Sequence, residues 1–232
     1  MKQFAVIVVL CISFTGYAQE KSILKDTINL EEVLVKATRV DEKAPFVRSN
    51  ITKEEIESRN LGQDIPILLN FLPNVVSTSD AGNGIGYTGI RVRGSDASRV
   101  NVTINGIPLN DSESHGVFWV NLPDFASSTQ SMQLQRGVGS STNGAGAFGA
   151  SLSLSTNGIR EEAYGELGFS GGSFNTLKAN VQFGSGTIGG EGKFKSEFTG
   201  RVSTIQSDGY IDRASGDLRS VYLSASIFLS IF

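Results

Sequence analysis

From about residue 160 onward, apolar and polar residues alternate with period two, and no helix signal interrupts them. Leu177, Ala179, Val181 and Phe183 alternate with Lys178, Asn180 and Gln182. Phe194, Ser196 and Phe198 alternate with Lys193, Lys195, Glu197, Thr199 and Arg201. Val221, Leu223, Ala225, Ile227 and Leu229 alternate with Tyr222, Ser224, Ser226 and Phe228. Successive strand residues point to opposite faces, so each strand has an apolar and a polar side. Strands of about ten residues with this pattern are the signature of a transmembrane β-barrel. A soluble sandwich shows the same alternation, so the pattern alone leaves both open.

The other end of the chain bears on the compartment. Lys2 is followed by an apolar run, FAVIVVLCISF over residues 4–14, too short to span a bilayer as a helix. Gly16 and Ala18 are small residues at the two positions a signal peptidase reads. Residues 1–18 therefore read as a secretory signal, with cleavage after Ala18. The one cysteine, Cys11, falls inside it, so the mature chain has neither disulfide nor thiolate metal site. Of 20 basic and 23 acidic residues, loss of Lys2 leaves 19 and 23, a net charge of −4. That balance argues against nucleic-acid binding. Glycine is the abnormal residue: there are 27 in 232, where average usage gives about 16.

Residues 50–158 read as a small α+β unit. Thr52 and Glu55 form a capping box that opens a helix through about Arg59. A second helix is expected over residues 63–72, with Asp64 as cap, Pro66 in its first turn and Pro73 ending it. Residues 80–87 (DAGNGIGY) form a glycine loop. Then Ile90 and Val92 alternate with Arg91 and Arg93, and Val100, Val102 and Ile104 with Asn101, Thr103 and Asn105. Asn105-Gly106 is a hairpin turn. Met132 and Leu134, then Leu152 and Leu154, continue the alternation.

Enzyme signatures are present only superficially. Gly144, Gly146 and Gly149 have the G-x-G-x-x-G spacing of a dinucleotide site. That site needs a helix after the last glycine to receive the pyrophosphate. Here Ala150 to Thr156 has period two, so the glycines mark a bend into a strand, with Phe148 as its one large anchor. The sole histidine, His115, has Asp111, Ser112 and Ser114 nearby, but no G-x-S-x-G elbow accompanies them. No metal site and no cofactor are expected.

The order of these parts resembles the TonB-dependent outer-membrane receptors. Residues 32–39 (EVLVKATR) look like the TonB box and the strand after it. Residues 68–75 (LLNFLPNV) resemble a plug segment, with Asn74 where glycine is usual; asparagine also tolerates positive φ. Residues 90–94 (IRVRG), 102–108 (VTINGIP) and 132–137 (MQLQRG) match three successive plug motifs, and residues 144–156 look like the closing plug strand. The wording of residues 110–125 is similar to receptors of Bacteroidetes-type bacteria.

The resemblance implies a fold: an α+β plug domain, a small mixed sheet with short helices, followed by antiparallel strands of an incomplete transmembrane β-barrel. The divisions it implies are signal peptide (1–18), periplasmic segment with TonB box (19–45), plug (46–158) and first barrel strands (159–232). It implies an outer-membrane location, with lipid, TonB and a small-molecule nutrient as partners. The nutrient classes are ferric siderophore, cobalamin and oligosaccharide. TonB would pair with Glu32, Val33, Leu34, Val35, Lys36 and Ala37. Arg93 and Arg136 fall at the positions of a plug–barrel lock, which in this family faces two barrel glutamates. Tyr87, Ser95, Asp96, His115, Phe118 and Trp119 would face the ligand from plug loops. Such transporters have about 22 strands, and residues 159–232 have room for about four. The expectation is thus a truncated receptor. The reading from another class is a soluble periplasmic β-rich binding protein containing a plug-like domain.

Overall fold

The computed structural model describes residues 39, 45–138, 147–156, 158, 160–189 and 194–229. The expected signal peptide, the box residues 32–37, Gly144 and Gly146 lie outside the described residues.

Strand β1 (Arg48–Ile51) leads into helix α1 (Lys53–Arg59), capped as expected. The Glu55 amide donates to Thr52 Oγ1 at 3.4 Å, and the Thr52 amide to Glu55 Oε2 at 3.0 Å. The second helix is much shorter than expected. Only Ile65–Leu68 is α-helical, as α2. Beyond it the amides of Asn70 and Leu72 bond three residues back, to Ile67 and Leu69 carbonyls, which tightens the chain into turns before Pro73. Asp64 does not cap α2 with its side chain. Its Oδ2 instead accepts from the Thr88 hydroxyl at 2.8 Å.

Five strands form a mixed sheet in the order β1-β6-β7-β4-β5. Its other members are β4 (Val100–Ile104), β5 (Ile107–Pro108), β6 (Thr129–Arg136) and β7 (Ala150–Thr156). Only β4 and β7 run parallel. Asn105 and Gly106 turn β4 into β5 with φ of 51° and 83°, the double positive φ of a type I′ turn. β2 (Val75–Ser79) and β3 (Thr88–Val92) pair separately, and Asn74 before them takes φ 61° as its sequence allowed. Met132, Leu134, Leu152 and Leu154 on one side of the large sheet pack with Ile56, Leu69, Val92, Trp119 and Phe125 in the core. On the opposite side Gln133, Gln135, Ser151 and Ser153 are buried too.

Gly149 immediately precedes β7, so the glycine spacing leads into a strand and not a helix. Phe148 is not the anchor expected of it: it is exposed, with Arg99 over its ring, and Ala147 is buried in its place.

Four antiparallel strands follow in the order β11-β10-β9-β8: β8 (Tyr164–Gly171), β9 (Leu177–Gly184), β10 (Phe194–Ser207) and β11 (Gly216–Leu229). The first two have 8 residues and the last two 14, against the roughly ten expected. The sheet is inside out by the standards of a water-soluble protein. Leu167, Phe169, Val181, Phe183, Phe198, Val202, Val221, Leu223 and Ile227 are exposed, while Lys178, Gln182, Glu197, Thr199, Arg201 and Ser203 are buried. Two glycines of this sheet are roofed by rings: a Cβ at Gly200 would strike Phe183, and one at Gly184 would strike Tyr164.

Gly149 supplies a sharp test of packing. A Cβ there would lie 2.7 Å from Ser95 Cβ and 2.8 Å from the Arg99 carbonyl oxygen. Gly149→Val is expected to lower stability by about 1–3 kcal/mol, read as an earlier urea midpoint for the full chain in detergent.

Candidate functional site

The mixed-sheet domain meets the β8–β11 sheet at one buried carboxylate. Asp124 sits just before the 3-10 turn Phe125–Ser128 with φ 54°, a left-handed conformation that aspartate adopts more readily than most residues. Its side chain is fully buried. Oδ1 accepts from Lys178 Nζ at 2.6 Å and from the Ser127 hydroxyl at 2.6 Å. Oδ2 accepts from Arg201 Nη1 at 3.2 Å and from the Ser203 hydroxyl at 2.7 Å. Lys178 comes from β9, Arg201 and Ser203 from β10.

The cations are held in turn. Arg201 Nε donates to Ser128 Oγ at 2.6 Å and Nη1 to Ser220 Oγ at 3.0 Å. Lys178 Nζ donates to Ser127 Oγ at 3.0 Å, which also accepts from Asn60 Nδ2 at 2.9 Å. Beside this cluster the Phe125 ring meets Tyr222 of β11 edge-on at 6.3 Å. A buried ion pair is stable only when its remaining bonding capacity is met, and here Oδ2 has two donors and Oδ1 three, the third being Asn60 Nδ2 at 3.5 Å.

A second junction lies at residues 80–87. The Asp80 amide closes this loop on the Tyr87 carbonyl at 3.0 Å. Ala81 O accepts the Tyr210 amide at 2.9 Å, and Asn83 Nδ2 donates to Ser207 Oγ at 2.7 Å. The connection between β10 and β11 is thereby bonded to the loop. The β8–β9 connection joins it, because the Asp208 amide donates to Phe174 O and the Asn175 amide nitrogen to Asp208 Oδ2. At the base of the loop is Asp64, whose backbone amide donates to Gly84 O at 2.9 Å. Burial pushes its carboxyl up to about 7, opposed by bonds from Thr88 and the Gly86 backbone.

The residues expected to lock the domain to the barrel come close to each other. Arg93 is exposed with φ 53°, and its Nη1 would lie 2.9 Å from a Cβ placed on Gly137. Arg136 is buried and donates from Nη1 to the Pro73 carbonyl at 3.0 Å. Among the described residues neither makes an ion pair with a carboxylate of the β8–β11 sheet. Glu197 of that sheet is buried and accepts the Arg160 amide at 3.1 Å.

Of the loop residues, Tyr87, Phe118, His115 and Asp96 are exposed and Ser95 is half-buried. Trp119 is a correction: it is 3% exposed and belongs to the core, so it has no face for a ligand. Asp96 Oδ1 accepts the Ser98 amide at 3.1 Å, and the backbone of His115 is held by Asn110. No group of three metal-binding side chains occurs among the described residues. Sequence reasoning missed Asp124, Lys178 and Arg201. A usable signal existed: a charge on the inward side of a barrel strand needs a partner within the barrel.

Two outcomes follow from these contacts. Asp124→Ala would leave two buried cations uncompensated, at a cost of about 3–5 kcal/mol, and replacing Lys178 and Arg201 together by methionine should recover most of it in urea unfolding. For Asp64, a folded pKa above the unfolded one means stability is fullest at low pH and is lost as pH rises to about 7. Amide protection of residues 80–88, corrected for intrinsic exchange, should therefore fall between pH 5 and pH 8, and Asp64→Asn should flatten the change.

Residues 40–151 match the TonB-dependent Receptor Plug Domain family. No curated protein sequence matches the chain. Among solved structures, the siderophore receptor PirA from Acinetobacter baumannii superposes with a TM-score of 0.60 at 21% identity, over 80% of this chain and 29% of that one. A point mutant of the ferric enterobactin receptor PfeA from Pseudomonas aeruginosa, in complex with enterobactin, gives 0.61 at 18%, over 83% and 32%. FpvAI in its complex with pyocin S2 gives 0.61 at 13%, over 82% and 24%. The chain thus spans about a quarter to a third of the structures it matches. Residues 40–151 belong to the TonB-dependent receptor plug family, and with β8–β11 they give the chain the fold of a TonB-dependent receptor plug joined to part of its barrel.

Proposed function

We propose that this chain is the gating portion of an outer-membrane receptor that takes up a scarce nutrient with energy delivered through TonB. The observation that carries the reading is the reversed polarity of the β8–β11 sheet. Its large apolar side chains stand exposed at Leu167, Phe169, Val202, Leu223 and Ile227, and its charged and hydroxyl groups are turned onto the plug. A lipid-facing barrel wall requires this arrangement. A soluble binding protein would need the opposite, because a contiguous exposed apolar sheet face in water invites association.

In this reading the plug fills the lumen and is held to the wall through Asp124. Ligand meets the loop of residues 80–87, where Tyr87 is exposed, together with Ser95, Asp96, His115 and Phe118. Ferric siderophores are the favoured nutrient class, supported by the likeness to siderophore receptors. Arg93, which reaches toward Gly137, and Arg136, held on the Pro73 carbonyl, serve as cations for wall glutamates. The role is that of a receptor and not of an enzyme. Residues 32–37 pair with TonB as an added strand, so main-chain hydrogen bonds carry the affinity.

A peptide of residues 26–39 is expected to bind the C-terminal domain of TonB weakly. Leu34→Pro should abolish binding, because proline removes a ladder donor. Absence of binding at millimolar peptide, or binding that survives the proline, would overturn the coupling.

A further inference from the structure

The mixed sheet has a polar side with unusual chemistry. Ser131, Gln133 and Gln135 of β6 share it with Ser151, Ser153 and Ser155 of β7, as the register Gln133↔Ser153 and Gln135↔Ser151 shows. Apart from Ser131 these side chains are only 2–7% exposed. Gln135 Nε2 and Ser151 Oγ are buried with no hydrogen-bond partner among the described residues. Arg39 lies on this side and bridges both strands. Its Nη1 donates to Ser131 Oγ at 2.9 Å and its Nη2 to Ser131 O at 3.0 Å. Its Nε donates to Ser153 Oγ at 3.3 Å and Nη2 to Ser153 O at 3.3 Å.

A buried layer of hydroxyls and amides is a poor core, since each group left without a partner costs free energy. The same layer is cheap to uncover. Water replaces the bonds that are broken, and no apolar area is released. The opposite side of these strands, with Met132, Leu134, Leu152 and Leu154, has the reverse property. We propose that the serine and glutamine side of β6–β7 is a reversible wet surface sealed by Arg39, which hydrates when Arg39 leaves while the apolar side stays packed. The inference rests on the gating role proposed above, in which Arg39 follows the TonB-pairing segment by two residues.

Thiol labelling of the full chain tests it without TonB, so failure of the coupling reading leaves this result legible. Cys11→Ser removes the single native cysteine. Ser153→Cys then reports on the polar side, and Ala150→Cys, fully buried on the apolar side, is the control. With Arg39 present both thiols should react slowly with a membrane-impermeant thiosulfonate. Arg39→Ala should speed the Ser153→Cys thiol by about tenfold or more, as expected for easier local opening, and leave the Ala150→Cys thiol slow. Arg39→Lys, which keeps the charge but loses the fork that spans two strands, should fall between them. No acceleration at Ser153→Cys, or equal acceleration at both positions, would overturn the proposal.

Discussion

The carboxylate of Asp124 is the point on which the two parts of this protein depend. It joins a turn of the plug to cations on two neighbouring wall strands, Lys178 of β9 and Arg201 of β10. Taking three charges out of water is expensive, and their mutual attraction offsets the cost only with full coordination. Ser127, Ser128, Ser203, Ser220 and Asn60 provide it. The turn that carries Asp124 runs directly into β6, which lies between β1 and β7 in the sheet. Fixing that turn therefore fixes the seat of the sheet against the wall. The polarity is opposite to the arginine-on-plug arrangement that the resemblance implied: Arg93 reaches toward Gly137, and Arg136 donates to the Pro73 carbonyl.

An inside-out wall dictates the surface of whatever fills it. With Gln182, Glu197, Thr199 and Ser203 turned inward, the plug has to meet them with groups that can hydrogen-bond. Hence the polar bonds of the 80–87 loop and of Asp124, with Phe125 on Tyr222 as the one ring-to-ring contact between the two parts among the described residues. The plug is consequently a domain with one conventional apolar core and polar layers around it.

What was legible in the sequence was local. The Thr52–Glu55 cap, the Asn105-Gly106 turn and the alternation from Leu177 onward depend on near neighbours only, and each is present as read. The second helix was misjudged because apolar spacing over residues 63–72 fits a helix equally well and a series of tight turns, and burial of Asp64 beside Thr88 decided between them. Phe148 and Trp119 were assigned the wrong way round. An aromatic ring in a glycine-rich bend looks like an anchor, and one in a polar loop looks like a contact, but the packing of distant strands made the first exposed and the second core. Asp124, Lys178 and Arg201 were out of reach for the same reason: Lys178 lies 54 residues and Arg201 lies 77 residues from Asp124.

The length of the last two strands adds a dimension that the apolar pattern alone does not have. Outward side chains other than Ser196 are apolar up to the pair Val202↔Val221, and beyond it come Thr204 opposite Arg219 and Gln206 opposite Asp217. Pairing nevertheless continues to Ser207↔Gly216. At about 3.3 Å per residue, the ladder runs on for roughly 16 Å of strand beyond the greasy zone. The wall thus ends in a stiff collar and not in slack loops. The connection bonded to Ala81 is carried on that collar, so the plug loop it grips is held beyond the apolar zone of the wall.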